Sequence, residues 1–270
     1  MTISPNDVSE DVKRQMNKPQ IHRVWEKNYR SIGNERFFES AFDKLVERLG
    51  QPSNSRALDV GCGICANAIR LARRGYFVSA ADYSESVLAQ ARDNVARQQL
   101  TDRIAIRRDD ILNLSYPGNE FDLVLCWGVL MHIPDAERAI AELVRVTKPN
   151  GYIVLEELNK DAPEAIMMRL AWLARGKIKI VKNASGYEQT TQFAGETLFW
   201  RHTNIAWLRS QFEKRGCELF CHDSGMLSES YIFLPSELLK NSIHSLNRLW
   251  CSTINVPSLA YHNLLIFRKS

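Results

Sequence analysis

Residues Arg56-Ala57-Leu58-Asp59-Val60-Gly61-Cys62-Gly63-Ile64-Cys65-Ala66 decide the fold, because they pass from an apolar run through two glycines into a helical pattern. The run over 56–61 reads as a strand. Gly61 and Gly63 suit a tight turn whose backbone comes close to a ligand. Ile64, Ala68, Leu71 and Ala72 then recur at helical spacing to about Arg74, with Gly75 where a helix stop belongs. Strand, glycine turn and helix in that order form the first unit of a doubly wound α/β sheet, in which ligands lie across the carboxyl ends of the strands.

Working outward, the same alternation continues. Residues 76–82 (YFVSAAD) read as a second strand, and Ser84 as the cap of a helix whose buried stripe is Val87, Leu88, Ala91 and Val95. RIAIRR (103–108) is a third strand, and FDLVLCW (121–127) a fourth, apolar enough to be buried on both faces. Pro134 opens a helix through Val146, and Pro149-Asn150-Gly151 turns the chain into a fifth strand, YIVLEEL (152–158). A helix capped by Asn204 runs to about Arg215, followed by strands over 217–223 and 259–269. Stretches at about 161–200 and 227–257 interrupt the pattern as insertions. The expected organisation is an N-terminal helical lid over 1–50 and a single sheet domain over 51–270.

The chain has 270 residues, 45% of them hydrophobic and 24% charged, so it can bury a core and is no disordered tail. A formal charge of +4 without a basic block predicts no nucleic-acid partner. The polar N-terminus lacks a signal-peptide pattern, and no apolar run approaches the roughly 18 residues of a membrane helix, so a cytoplasmic chain is expected. Cys62 and Cys65 are spaced C-x-x-C, but Cys217 and Cys221 do not complete a zinc set, and thiols in a turn and core are the favoured reading. No metal is expected.

Glycines in a G-x-G-x-x-A pattern also fit the dinucleotide fingerprint. The neighbouring acids discriminate. Asp59 beside the turn would repel a pyrophosphate but pair with a ligand's ammonium; Asp82, ending the second strand, is placed for ribose hydroxyls; Asp110, after the third strand, can accept from an adenine amino group beside the Ile111 amide. A nucleoside carrying an amino acid suits these groups better than one carrying phosphates.

These motifs resemble the class I S-adenosylmethionine-dependent methyltransferases. LDVGCG (58–63) is similar to their first motif and AADYS (80–84) to the second. DDILNLSYPGNEFDLVLCWGVLMHIPD (109–135) resembles their adenine segment running into strand four, and KPNG (148–151) their turn before strand five, with Asn150 in place of a glycine. The resemblance implies a Rossmann-like seven-stranded sheet, mostly parallel with the last strand antiparallel, helical insertions serving as a lid, S-adenosylmethionine as cofactor and S-adenosylhomocysteine as product. Asp59, Gly61 and Gly63 would then hold the methionine end, Asp82 the ribose, and Asp110 with Ile111 the adenine. Tyr83 would cover the adenine and Trp127 line the pocket. Tyr29 and Arg30, in the segment beginning Trp25, are the candidates for closing over the cofactor's carboxylate.

Methyl transfer to a hydroxyl needs a base near the ends of strands four and five. His132 leads, because VLMHIPD (129–135) resembles a stretch of small-molecule methyltransferases in which a histidine is the base; Met131 departs from that pattern. Glu156, Glu157, Tyr187, Arg201 and His202 are the alternatives. The insertion helix and its basic residues (163–182) suit a lid with a solvated face, or peripheral contact with a lipid surface or a phosphorylated glycan. Residues 234–250 read as an amphipathic helix that walls the acceptor pocket or forms a homodimer contact. The expected activity is O-methylation of a small-molecule or glycan-type acceptor. N-methylation, an NAD(P)-linked oxidoreductase and a non-catalytic binding module are the rivals.

Overall fold

A computed structural model describes residues 5–29, 31–50, 55–174, 180–193 and 195–270. Three helices, α1 (Pro5–Met16), α2 (Pro19–Tyr29) and α3 (Ile32–Leu49), precede the alternating region. That region runs β1 (Arg56–Val60), α4 (Ala66–Arg73), β2 (Phe77–Asp82), α5 (Glu85–Arg97), β3 (Ile104–Arg108), β4 (Phe121–Trp127), α6 (Ala136–Val146) and β5 (Thr147–Leu158). There follow α7 (Pro163–Ala174), β6 (Ile180–Asn183), β7 (Gly186–Phe193), β8 (Glu196–Thr203), α8 (Ile205–Glu213), β9 (Cys217–Ser224), α9 (Glu237–Leu249) and β10 (His262–Lys269).

Seven strands form one sheet in the order β3-β2-β1-β4-β5-β10-β9. β10 is antiparallel to both neighbours, β5 and β9, and lies between them. The two-residue period of the strands divides their side chains between two cores. Leu58, Val124, Cys126, Ile153, Leu155, Leu265 and Phe267 face α6 and α8, where the Phe212 and Phe267 rings stack at 4.2 Å. Ala57, Leu123, Leu125, Val154, Leu264 and Ile266 face α3, α4 and α5. Burial on both faces explains the continuous apolar run of β4.

Two boundaries differ from the sequence reading. β5 begins at Thr147 rather than at 152, because Thr147 already pairs with Phe121 and the intervening residues bulge before Leu123 meets Tyr152. Asn150 takes a φ of +62° there, the left-handed conformation its glycine-like position demands. Secondly, the first insertion is not wholly a lid helix. After α7 it becomes a separate antiparallel sheet, β6-β7-β8, which the polar sequence of Tyr187 to Gln192 did not announce.

The surplus segments gather over the carboxyl edge of the main sheet. Lys18 pairs with Glu196 of β8 at 2.6 Å, and Ser86 of α5 donates to the carbonyl of Asn17 at 2.9 Å. Asn34 of α3 donates to Tyr231 at 3.2 Å, and Ser31 meets His244 of α9 at 3.3 Å. Among the described residues no helix is long and apolar enough to cross a membrane.

Candidate active site

The gathered segments and the strand ends enclose a cavity of about 350 Å³. Its floor is the turn after β1. Gly61 has φ +70° and Gly63 φ +53°; a side chain on Gly61 would collide with Val129, whereas nothing lies within 4 Å of where one on Gly63 would go. The second glycine therefore leaves a cradle open at the cavity floor.

Four donors of this turn are already engaged. Gly61 N–H and Cys62 N–H donate to the carbonyl of Ala81 at 2.7 and 3.0 Å, Cys65 N–H to the carbonyl of Cys62 at 2.8 Å, and Gly63 N–H to Asp82 Oδ2 at 2.9 Å. A pyrophosphate would need such free N–H groups and no carboxylate beside them. Asp82 lines the cavity, accepts from Ser84 N–H through Oδ1, and keeps lone pairs for further donors. Burial raises its pKa, against the pull of the backbone N–H groups of Ser84 and Gly63.

Asp59 is placed differently from its neighbours. It shares the face of Ala57, is 2% exposed and lies beneath the turn, outside the cavity lining. Burial pushes its pKa up to about 7, opposed by the Ala68 N–H at the start of α4, and the nearby Asp82 raises it further. Its structural work is at that helix start, because the strand period turns its carboxyl away from the ligand face.

At the other end of the floor, Asp110 accepts from Leu112 N–H at 2.9 Å and pairs with Lys13 of α1 at 2.8 Å. Lys13 and Arg108 both stand over the Tyr83 ring, at 5.4 and 4.9 Å from its centre. Ile111 and Trp127 line the same cavity, and Trp127 packs against Phe38 and Phe42. Lys13 was missed in the sequence, where α1 carries no motif. Arg30 and the side chain of Tyr29 lie outside the described residues.

His132 follows β4 and lines the cavity. Its Nδ1 donates to the carbonyl of Phe199 in β8 at 2.9 Å, which leaves Nε2 as the acceptor. Trp25 and Trp200 flank the ring, with centres at 5.3 and 4.4 Å. Burial lowers its pKa to about 4, so the imidazole is neutral at neutral pH.

Of the alternative bases, the structure brings Glu156 into the cavity with it and places the other four outside the lining. Tyr187 lies outside the cavity, under the Arg169 guanidinium at 4.0 Å. His202 shares the β8 face of Trp200 but lies further along the strand, outside the cavity lining, buried against Tyr261, whose hydroxyl is 3.0 Å from Nε2. Arg201, 1% exposed, pairs with Glu188 and donates to the carbonyls of Leu130, Ile133 and Pro134, fixing the segment that carries His132. Glu157 accepts from Thr203 at 2.7 Å on the opposite face of β5. Glu156 does line the cavity, with His262 of β10 and Glu229 beside it. His262 and Glu229 were not singled out in the sequence, although a histidine opening the otherwise apolar final strand was the available signal.

The Cys62 and Cys65 thiols are buried and 3.7 Å apart, and burial together with the Cys65 contact holds the Cys62 thiol protonated. Among the described residues no group of histidines, cysteines and acids is arranged to hold a metal ion.

Residues 58–155 match the family model described as "Methyltransferase domain". The chain is 33% identical over 121 residues to the methyltransferase GfsG of Streptomyces halstedii, covering 44% of each chain. It is 31% identical over 118 residues to the ubiquinone biosynthesis O-methyltransferase of Coxiella burnetii, covering 44% of this chain and 50% of that one. The alignments thus span about half the length of these curated relatives. In fold, the chain is similar to magnesium protoporphyrin IX methyltransferase from Synechocystis, solved with bound S-adenosylhomocysteine: TM-score 0.63, 18% identity, 96% of this chain and 98% of that chain.

Proposed function

We propose that this chain, whose residues 58–155 match the methyltransferase-domain model, is a class I S-adenosylmethionine-dependent methyltransferase that methylates a hydroxyl of a small-molecule or glycan-type metabolite with His132 as the base. The observation that carries the reading is the neutral His132 ring, held by Phe199 with Nε2 as acceptor, in the same cavity as the Gly63 cradle and Asp82.

The residues fit the cofactor. Gly63 leaves space against the floor, Asp82 offers lone pairs to ribose hydroxyls, and the Gly63 N–H is held by the Asp82 carboxylate, which would repel a phosphate there. Asp110, paired with Lys13, and Ile111 line the cavity with Tyr83 and suit the adenine. When bound, S-adenosylmethionine supplies an electrophilic methyl on sulfur and departs as a neutral thioether. The protein's part is to align the acceptor and exclude water, and good alignment is worth about 7 to 11 kcal/mol in ideal cases. Trp25 and Trp200 exclude water around His132. The imidazole, unprotonated at neutral pH, takes the hydroxyl proton on Nε2 as the methyl moves, a contribution of about 10²- to 10⁴-fold.

The relatives named as methyltransferase and O-methyltransferase support the reaction class, and the acceptor named for the Coxiella protein is not carried over. Transfer of labelled methyl from S-adenosylmethionine to a panel of hydroxyl and amine acceptors tests the reading. Label on a hydroxyl, lost in His132→Ala, is the expected result. Label on amines alone, unchanged in that variant, replaces O-methylation with N-methylation.

A further inference from the structure

Helix α7 shows solvent the face that a surface helix ordinarily buries. Such a helix packs its apolar stripe on the core and exposes its charges. In α7 the acid is inside: Glu164 is buried, accepting from Ser230 Oγ at 3.0 Å and from the Glu229 N–H at 3.1 Å. After Pro163, every exposed residue of the helix is apolar: Ile166, Met167, Leu170, Ala171, Leu173 and Ala174. Met167, Leu170 and Leu173 are 65%, 61% and 54% exposed. At 3.6 residues per turn these six positions span an arc of about 160°, with no charge and no side-chain hydrogen-bonding group in it. The solvated basic face expected of a lid helix is absent from α7.

An apolar face of this kind on a soluble chain marks an interaction surface. A protein partner makes about one hydrogen bond per 100–200 Å² of interface, and this arc has no side chain to answer one. The headgroup and acyl boundary of a lipid layer asks for none. Charge at the edge of the arc points the same way. Arg169, next to it on the helix, stands 4.0 Å over the Tyr187 ring, and Lys182 of β6, in register with Tyr187, is 5.9 Å from the same ring. Among the described residues neither cation pairs with a carboxylate; Arg169 donates instead to the carbonyl of Lys160. In the sequence, Glu164 and Glu188 enclose five cations and no acid, so the matching surface is anionic. On its inner side α7 packs through Ala165 and Met168 with Met131, Leu158 and Trp200, which line the cavity.

We propose that α7 docks the protein on a membrane surface bearing anionic lipids, its apolar arc at the acyl boundary and Arg169 and Lys182 at the headgroups. With 12 residues the helix is about 18 Å long, too short for the roughly 30 Å hydrocarbon core, so it lies in the interface and does not span it. The docked surface is then one helix thickness from the side chains at the acceptor end of the cavity. The contact does not depend on which acceptor atom is methylated.

Flotation of the full chain with vesicles of phosphatidylcholine alone, and of phosphatidylcholine mixed with phosphatidylglycerol, tests this. Binding to the mixed vesicles is expected to be at least about tenfold tighter than to the neutral ones. The double variant Leu170→Gln, Leu173→Gln is expected to lose at least about tenfold in that binding, with its thermal unfolding unchanged. Lys182→Gln is expected to lose about fivefold, the worth of one cation near an anionic surface, and it decides the matter should the double variant fail to fold. No binding to the mixed vesicles, equal binding to both kinds, or binding that survives these substitutions overturns the proposal. So does a lipid-free dimer in analytical ultracentrifugation that the double variant abolishes, because a second copy of the chain would then cover the arc.

Discussion

His132 Nδ1 lies 2.9 Å from the carbonyl oxygen of Phe199, so the ring at the end of β4 takes its tautomer from a sheet built 67 residues further along the chain. A base held in this way should act through Nε2 alone. Replacing His132 by alanine is expected to lower turnover by about 10²- to 10⁴-fold with S-adenosylhomocysteine affinity retained. Isothermal titration beside a methyl-transfer assay separates the two, and unchanged turnover removes His132 from the chemistry.

The pH profile carries an independent signature. An ordinary histidine base loses activity as pH falls through about 6.5, but His132 sits near 4 because protonating a buried ring is unfavourable. The acid limb of kcat/KM is therefore expected close to pH 4, with a flat profile from 7 down to about 5. An acid limb between 6 and 7 would assign the proton transfer to another group.

Arg201 fixes three carbonyls, those of Leu130, Ile133 and Pro134, and thereby the approach of His132. Lysine has the charge but not the planar fork, so Arg201→Lys should not restore these bonds. Removing the guanidinium also leaves Glu188 without its buried partner, and Arg201→Met is expected to cost about 3 to 5 kcal/mol. Chemical denaturation measures the loss; both variants should fall in kcat more than in cofactor affinity.

Two acids on neighbouring strands should behave oppositely. Asp82 lines the cavity and holds Gly63, so Asp82→Ala is expected to weaken S-adenosylhomocysteine by about ten- to a hundredfold, the loss of one or two charged hydrogen bonds. Asp59 is beneath the turn, and Asp59→Asn keeps an acceptor for the Ala68 N–H, so its affinity should stay within about threefold. Equal losses would place Asp59 on the ligand.

His202 tests the electrostatics of folding. Burial lowers its pKa to about 4, so between that value and the ordinary 6.5 the unfolded chain binds a proton the folded one does not. Its contribution is whole above about pH 6.5 and is lost as pH falls towards 4, at most about 3 kcal/mol. Subtracting the stability curve of His202→Gln from that of the parent should reveal this slope, and parallel curves would show the ring titrating normally.

The sheet was legible because local signals and tertiary environment agree over residues 56–158. Gly61, Gly63 and the acid at 82 are tied to strand ends, and an apolar run such as 121–127 admits no other burial. What was not legible depends on contacts across long separations. Nothing within Tyr187–Gln192 shows that it pairs with Thr197–His202 and turns Phe199 towards His132. Asp59 reads as a ligand group by its neighbours, yet the two-residue period sends it below the floor. His262 is polar for a reason visible only when β10 is laid against β5 and Glu156 appears beside it. Lys13 belongs to a helix with no motif, and only the docking of α1 brings it to Asp110.

The central claim is that the cavity between the Gly61–Gly63 turn and His132 takes S-adenosylmethionine and no dinucleotide. Calorimetric titration of the full chain with S-adenosylhomocysteine and, separately, with NADH and NADPH tests it most directly. The account predicts saturable binding of S-adenosylhomocysteine that Asp82→Ala weakens, with no heat from either dinucleotide. Saturable binding of a dinucleotide, with none of S-adenosylhomocysteine, would contradict it.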